Sequence, residues 1–459
     1  MSRADERPTP AWLAFAVARL TPRRLRAQGI VLAVCLWGVC GVDFATPGLL
    51  DRAGNIKFQD FLPFYVSARL VAQGRAGALF NEQVAADEFD AILHHSSDHR
   101  SIGQPADGRH PIGFPAVNPS ANPSANVRLP ILYGPQVGLF FVPFSRFSFP
   151  AAARIWVALS LCVFFGCIYL VWRVCPALRP HWQIVAIAAT AFPPLFHFFV
   201  RSQISVLVLS CFTAAFLAFR SDRGSLAGIA IGLLVFKPQF LVAIPLVLLL
   251  ARSWKTLAGL SASAAVQLAF TWLYFGPAVM RAYFRTLWHM SRWISAAELG
   301  LAPIQMHSLR SFWALLIPWP DTALALYILS SIVIIAMAAA VWKSASPLAL
   351  RFSALILAAV LANPHLFVYD LLVLAPVLLL LVDWTLTKTN PQQHGSAALQ
   401  LLLYLAFVLP LFGPLSRWTH FQLSVPVFVV LLWVLWRHSA DVGSLGTDDR
   451  LASHEVRVV

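Results

Sequence analysis

The sequence predicts an all-α, polytopic transmembrane helical bundle of about ten to twelve spans, with a long outer first loop that carries an amphipathic helix. Three observations lead there. Hydrophobic residues make up 59% of the 459 positions and charged residues only 12%, at a mean hydropathy of +0.70; soluble domains carry roughly 45–50% and about 25%. The apolar residues gather in runs near the length of about 20 that crosses a bilayer as helix. The 31 prolines and 16 tryptophans suit a membrane bundle with broken helices and interfacial anchors. A helix satisfies its own backbone in lipid, so apolar runs of this length read as helices. Disorder, collagen-like repeats and a disulfide-stapled secreted scaffold are excluded by the same figures.

Residues 1–27 read as a cytoplasmic amino-terminal segment. Within it, 11–20 is short and flanked by charge, which predicts an interfacial helix rather than a cleavable signal peptide. Arg23, Arg24 and Arg26 precede the first run and place the amino terminus in the cytoplasm. The transmembrane domain covers 28–437, with apolar runs at 28–46, 133–149, 152–174, 182–200, 203–220, 225–251, 256–275, 311–342, 347–362, 365–383, 398–415 and 421–437. Basic clusters at both ends of 225–251 conflict with a single crossing, a conflict resolved if two half-spans meet at Lys237-Pro238-Gln239. A short piece ahead of 311–342 reads as re-entrant, and 438–459 as a polar tail.

The first outer loop, 47–131, is the most polar stretch. Phe61, Phe64, Tyr65, Ala68, Val71 and Ala72 recur at helical spacing, predicting a helix along the membrane surface. The near-repeat from Asn118 to Ala125 reads as loop. His94, His95, Asp98 and His99 are metal-ligand types, but their sequence-biased surroundings imply no metal.

The net charge of +14 lies in short clusters between apolar runs, which serve orientation and headgroup contact rather than nucleic-acid binding. The six cysteines sit in or beside apolar segments without a CxxC pair and read as small buried hydrophobes. No phosphate-binding glycine loop or nucleophile elbow is present, which argues against a cytosolic nucleotide substrate.

Polar groups at membrane depth carry the chemistry. Asp60 opens the outer-loop helix, where spacing alone favours an N-cap ahead of Pro63, a role compatible with a carboxylate that also faces a substrate. Tyr133-Gly134-Pro135-Gln136 either starts a helix or gives irregular backbone lining a cavity. Arg201-Ser202-Gln203, Lys237-Pro238-Gln239 and Asn363-Pro364-His365, with Tyr369 and Asp370 beyond, interrupt apolar runs at a cost that marks functional sites. Lys237 is the sharpest of these, and snorkelling to an interface is its bland alternative.

These elements resemble, in order, the motifs of the GT87 family, glycosyltransferase family 87, integral-membrane enzymes of the GT-C class. Gln59-Asp60-Phe61, Phe64-Tyr65, Ala68-Arg69, Gln73-Gly74 and Ala78-Leu79-Phe80 resemble its outer-loop signature. Tyr133-Gly134-Pro135 stands for Tyr-Pro-Pro, and Ser202-Gln203-Ile204-Ser205 for Gly-Gln-x-Asn without its Gly and Asn. Lys237-Pro238 is intact, and Asn363-Pro364-His365 with Asp370 resembles the late Asn-Pro…Asp element.

The resemblance implies a GT-C-like fold and transfer of a hexose, mannose as best guess, from a polyprenyl-phosphate donor to a lipid or glycan acceptor. The reaction would run on the outer face of a bacterial plasma membrane, with inversion and without a cofactor or required metal. Asp60 would be the general base. Lys237, with Arg69 or Arg201, would stabilise the leaving phosphate, and Gln203, Gln239, Tyr133, His365 and Asp370 would line the donor site. The alternatives are a transporter or lipid flippase, which also uses broken helices with midplane charges, and a noncatalytic scaffold. Against transport stand the absence of an internal repeat and the acid at the start of the outer-loop helix.

Overall fold

The computed structural model describes residues 10–52, 56–97, 131, 133–292, 305–388 and 394–455, and these are helical with only two isolated β-bridges. After α1 (Ala11–Val17), α2 (Pro22–Phe44) is opened by Thr21, whose side chain accepts from the Arg24 amide, with Pro22 in the first turn. α3 (Leu62–Ala72), α4 (Glu82–Ser97) and α5 (Pro135–Phe141) come from the polar stretch and its end. α6 (Phe149–Trp172), α7 (Trp182–Thr190), α8 (Pro193–Arg201), α9 (Ser205–Arg220), α10 (Gly224–Gly232) and α11 (Ile244–Leu250) follow. Beyond them run α12 (Trp254–Arg292), α13 (Leu309–Leu316), α14 (Pro320–Lys343), α15 (Leu348–Leu361), α16 (Leu374–Lys388), α17 (His394–Val408) and α18 (Ser424–Glu455).

Among the described residues, six helices are long and apolar enough to cross a membrane: Pro22–Phe44, Phe149–Trp172, Trp254–Trp288, Pro320–Lys343, Val368–Thr387 and Ala397–Thr419. A seventh arises if α7 and α8, bent by 44°, form one span. Shorter apolar helices fill the other runs: Ser205–Arg220, Gly224–Phe236, Pro238–Leu250, Leu348–Leu361 and Ser424–Ala440. The chain is a multi-pass, all-α membrane protein.

Prolines set most of the breaks. Pro193 and Pro194 divide the run 182–200, and Pro318 and Pro320 separate α13 from α14. The run 225–251 breaks at Lys237 into two short helices, as its flanking charges require.

Two expectations are corrected. The run 133–149 is not a span: α5 is seven residues, about 10 Å long, and a 3-10 segment containing Pro143 follows it. This short pair packs over α3. For that reason α3 is not a surface helix with one wet face; Leu62, Phe64, Tyr65, Val66, Ser67, Ala68 and Leu70 are all buried. The Asn118–Ala125 repeat and the side chains of His94, His95, Asp98 and His99 lie outside the described residues.

Without a hydrophobic force between helices in lipid, close packing needs small residues. α10 and α12 meet through such a surface: a Cβ on Gly228 would stand 2.0 Å from the Thr256 carbonyl oxygen, and one on Gly259 2.1 Å from that of Ser225. α15 is the central helix, buried from Phe352 to Leu361. It and α9 join two ends of the bundle, and the polar residues singled out above gather at one of them.

Candidate active site

The site begins where α2 ends. Lys57 is buried, and its ammonium donates to the carbonyls of Phe44, Thr46 and Gly48, closing the carboxy-terminal end of α2. Desolvation lowers the Lys57 pKa. Phe58 turns the chain with φ +59°, in the left-handed region, and its ring packs on Phe44 with centroids 4.9 Å apart. The 3-10 turn Gln59–Phe61 follows. Phe61 is fully buried in an aromatic cluster, edge-on to Phe141 at 5.6 Å and stacked on Phe149 at 6.2 Å. Held on both sides, Asp60 has one place to point.

That place is not the end of α3. No side chain caps this helix, so the N-cap reading of Asp60 is corrected. Its Oδ2 accepts from Gln203 Nε2 at 2.8 Å, and Arg201 Nη1 lies 3.8 Å from Oδ1 while also donating to Gln59 Oε1 at 3.3 Å. Tyr133 donates its hydroxyl to Gln203 Oε1 at 3.2 Å, and Trp156 donates its indole N–H to the Gln203 carbonyl at 3.3 Å. The Asp60 side chain keeps 18% of its surface open and Arg201 34%. Burial raises the Asp60 pKa above the usual carboxylate value, against the pull of Arg201, the Gln203 hydrogen bond and Lys237.

Behind this open pair lies a closed one. Lys237 and Asp370 are each 1% exposed and form a salt bridge through Asp370 Oδ1. Ser205 donates to the same oxygen at 2.5 Å and accepts from Lys237 Nζ at 3.1 Å. Asp370 Oδ2 accepts the Phe367 amide at 3.4 Å at the start of the 3-10 turn Val368–Val373. Three rings surround the ammonium: Tyr369 at 5.6 Å, Phe240 at 5.9 Å and Tyr133 at 6.0 Å. Tyr133 therefore touches both pairs. Snorkelling is ruled out for Lys237, whose charge is neutralised in place.

The structure thus brings Asp60, Arg201, Gln203, Tyr133, Lys237 and Asp370 into one cluster. His365 stands close enough to feel both Asp370 and Lys237, its ring edge-on to Phe367 at 4.7 Å. Arg69 goes elsewhere: its Nε lies 3.5 Å from Glu88 Oε2, beside the Arg75–Glu88 pair. Gln239 is half-buried in the 3-10 turn after Lys237, and no hydrogen bond among the described residues ties it to the cluster.

Sequence reasoning passed over Lys57, and it named Ser205 and Tyr369 only within their motifs, without a role for either side chain. Ser205 carried a usable signal, since it occupies the Asn position of the Gly-Gln-x-Asn element and keeps a hydrogen-bonding side chain. Ser202, at the Gly position, adopts φ +58°, the conformation that favours glycine. Among the described residues no group of His, Cys, Asp and Glu is placed to hold a metal ion.

The model of glycosyltransferase family 87 matches residues 132–369, more than half of the chain. The matched stretch contains Tyr133, Arg201, Gln203, Lys237, Gln239 and His365; Asp60 and Arg69 precede it and Asp370 is the next residue. No curated protein and no solved structure matches. With a family match of this extent across a polytopic helical bundle, the chain belongs to glycosyltransferase family 87 and is a membrane glycosyltransferase.

Proposed function

We propose that the enzyme transfers a hexose, mannose in the first instance, from a polyprenyl-phosphate donor to a lipid or glycan acceptor on the outer face of a bacterial plasma membrane, with Asp60 as general base. One observation carries the reading. A carboxylate that is open to a ligand and raised in pKa sits between an open guanidinium and a buried, charge-balanced pair.

In the reaction, the acceptor hydroxyl oxygen attacks the anomeric carbon from the face opposite the phosphate. Its proton passes to Asp60, the bond from the anomeric carbon to the phosphate oxygen breaks, and polyprenyl phosphate leaves with that electron pair. Configuration inverts. A raised pKa makes Asp60 a better proton acceptor near neutrality than an exposed carboxylate. Gln203, fixed by Tyr133, holds one Asp60 oxygen and leaves the other toward the acceptor.

Arg201 is the cation open to the departing phosphate. Lys237 is enclosed, so its part is to hold Asp370 and Ser205 and to add positive field from beneath, rather than to grip phosphate directly. Arg69, paired with Glu88, has no part in this scheme. Fixed cations perform the charge stabilisation, and the scheme calls for no cofactor. In this reading His365, beside Asp370 and Lys237, meets a donor hydroxyl, and Gln239, in the turn after Lys237 but outside the hydrogen-bonded cluster, is a second candidate.

The test is transfer of radiolabel from polyprenyl-phosphate mannose to a membrane-lipid extract by the purified protein in nanodiscs. Wild type forms labelled product, and Asp60→Asn loses about 10²–10⁴-fold in rate while keeping its folded yield. Equal transfer by Asp60→Asn removes Asp60 as base. No transfer from mannose, glucose or arabinose donors by wild type removes the donor class.

A further inference from the structure

At the opposite end of α9 and α15 from Asp60 lies a cleft of about 520 Å³ with no part in the scheme above. α9 places Ser205 at the candidate active site and Phe219 in the cleft wall, about 21 Å apart along the helix. α15 does the same, with Leu348 and Arg351 at the cleft and its other end leading to Asn363 and His365. The cleft therefore lies at the other membrane face.

Arg252, Lys255 and Arg351 line it against a single carboxylate, Asp222. No ion pair among the described residues engages any of these three cations. The Arg351 Nε is buried without a hydrogen-bond partner, and its guanidinium carbon lies 5.8 Å over the Trp342 ring. Trp342 is held in turn by its indole N–H, which donates to Ser253 Oγ at 2.8 Å. Asp222 and Arg252 both adopt φ +56°. Each ends a helix in the position usually given to glycine, with the next amide reaching back to the Ala218 or Leu248 carbonyl at 2.9 Å. Two strained charged residues at one cleft are a cost that packing does not explain.

We propose that this cleft binds the phosphate of an anionic membrane phospholipid. Three cations with one carboxylate leave it electropositive, and a guanidinium with an unused buried N–H presents a donor for a phosphate oxygen. A lipid source fits the surroundings. Trp254 in the cleft lining is exposed, and so are Leu226 and Leu249, two and three residues along the chain from the lining Gly224 and Arg252, which offers acyl chains apolar surface close to the cleft.

The experiment is native mass spectrometry of the full-length protein titrated with phosphatidylglycerol, with phosphatidylcholine and inorganic phosphate as separate arms. Wild type retains one phosphatidylglycerol more tightly than any phosphatidylcholine. The double variant Arg252→Gly, Arg351→Gln weakens that lipid about tenfold or more, and Lys255→Gln alone weakens it less. Glycine suits the backbone at 252, so thermal stability of Arg252→Gly does not fall. Arg24→Gln, in the basic cluster of the first turn of α2, leaves the affinity unchanged. Equal binding by wild type and the double variant overturns the proposal, as does an equal loss in Arg24→Gln. Displacement of the lipid by inorganic phosphate at matched concentration overturns the lipid source.

Discussion

Replacing Lys237 by Met tests whether the closed pair is a unit. Lys237 and Asp370 are each 1% exposed, so water cannot rehydrate a carboxylate left alone. Removing one partner of such a pair costs about 3–5 kcal/mol, whereas replacing both by apolar side chains is often near neutral. Here the double replacement Lys237→Met, Asp370→Leu also strands the Ser205 hydroxyl and the Phe367 amide, which Asp370 accepts. That leaves a residual cost of about 1–3 kcal/mol. The double variant is therefore expected to be more stable than either single one, with a coupling energy of several kcal/mol across the cycle. Reversible unfolding in mixed micelles, followed by tryptophan fluorescence, measures it. A double variant as unstable as the sum of the singles refutes the coupling. The same protein separates structure from chemistry in the transfer assay: a folded double variant that transfers sugar at the wild-type rate shows that the pair only supports the fold.

The Asp60 pKa is raised, so the folded state holds its proton to higher pH than the unfolded chain does. Its contribution to stability is present below the unfolded value and is lost as pH rises through the folded one. At pH 7 Asp60→Asn should then melt no lower than wild type, and the wild-type transfer rate should fall as pH drops through a midpoint above 3.8, the ordinary value; a midpoint at or below that value contradicts the assigned environment. Ser202→Gly relieves φ +58° at the loss of one hydrogen bond, from Ser202 Oγ to the Phe199 carbonyl. A net gain of up to about 1 kcal/mol follows, readable as a raised melting temperature. Gly228→Ala drives a methyl into the Thr256 carbonyl and should cost about 1–3 kcal/mol or more. Gly166→Ala in α6 meets nothing within 4 Å and should stabilise its helix by about 0.5–1 kcal/mol; a comparison of melting temperatures checks both.

What a single stretch of chain decides was legible. Apolar runs located most of the helices, but 182–200 and 311–342 read as continuous, across the breaks that Pro193, Pro194, Pro318 and Pro320 set in the structure. Lys237 stood out because a lone cation in an apolar run has few explanations. Its partner lies 133 residues away, and nothing in the local pattern of Asp370 names Lys237. Arg69 failed for the converse reason. Its helical position was right, but Glu88 on the next helix claims it. The burial of α3 was hidden too, because the segment that covers it, 135–146, has a composition that also suits a span.

Asp60 is the instructive case, because the residues that pointed to a cap also argue against one. An N-cap carboxylate accepts from the amide two or three residues on. With Asp60 as the cap, the third residue is Pro63, which has no amide hydrogen. The proline that reads as a first-turn marker thus removes one of the two donors an Asp60 cap would serve, and only Leu62 remains. The structure moves the helix start on by one residue, with Phe61 in the cap position and Pro63 in the first turn. A carboxylate with one of its two local donors withdrawn gains less from capping and is freer to take partners across the fold. Gln203 and Arg201 are those partners. Counting donors rather than residue types therefore weakens the cap reading of Asp60 from the four residues Asp60-Phe61-Leu62-Pro63. It also explains why a change at Pro63 that restores an amide hydrogen, such as Pro63→Ala, should compete for the carboxylate and lower transfer more than stability.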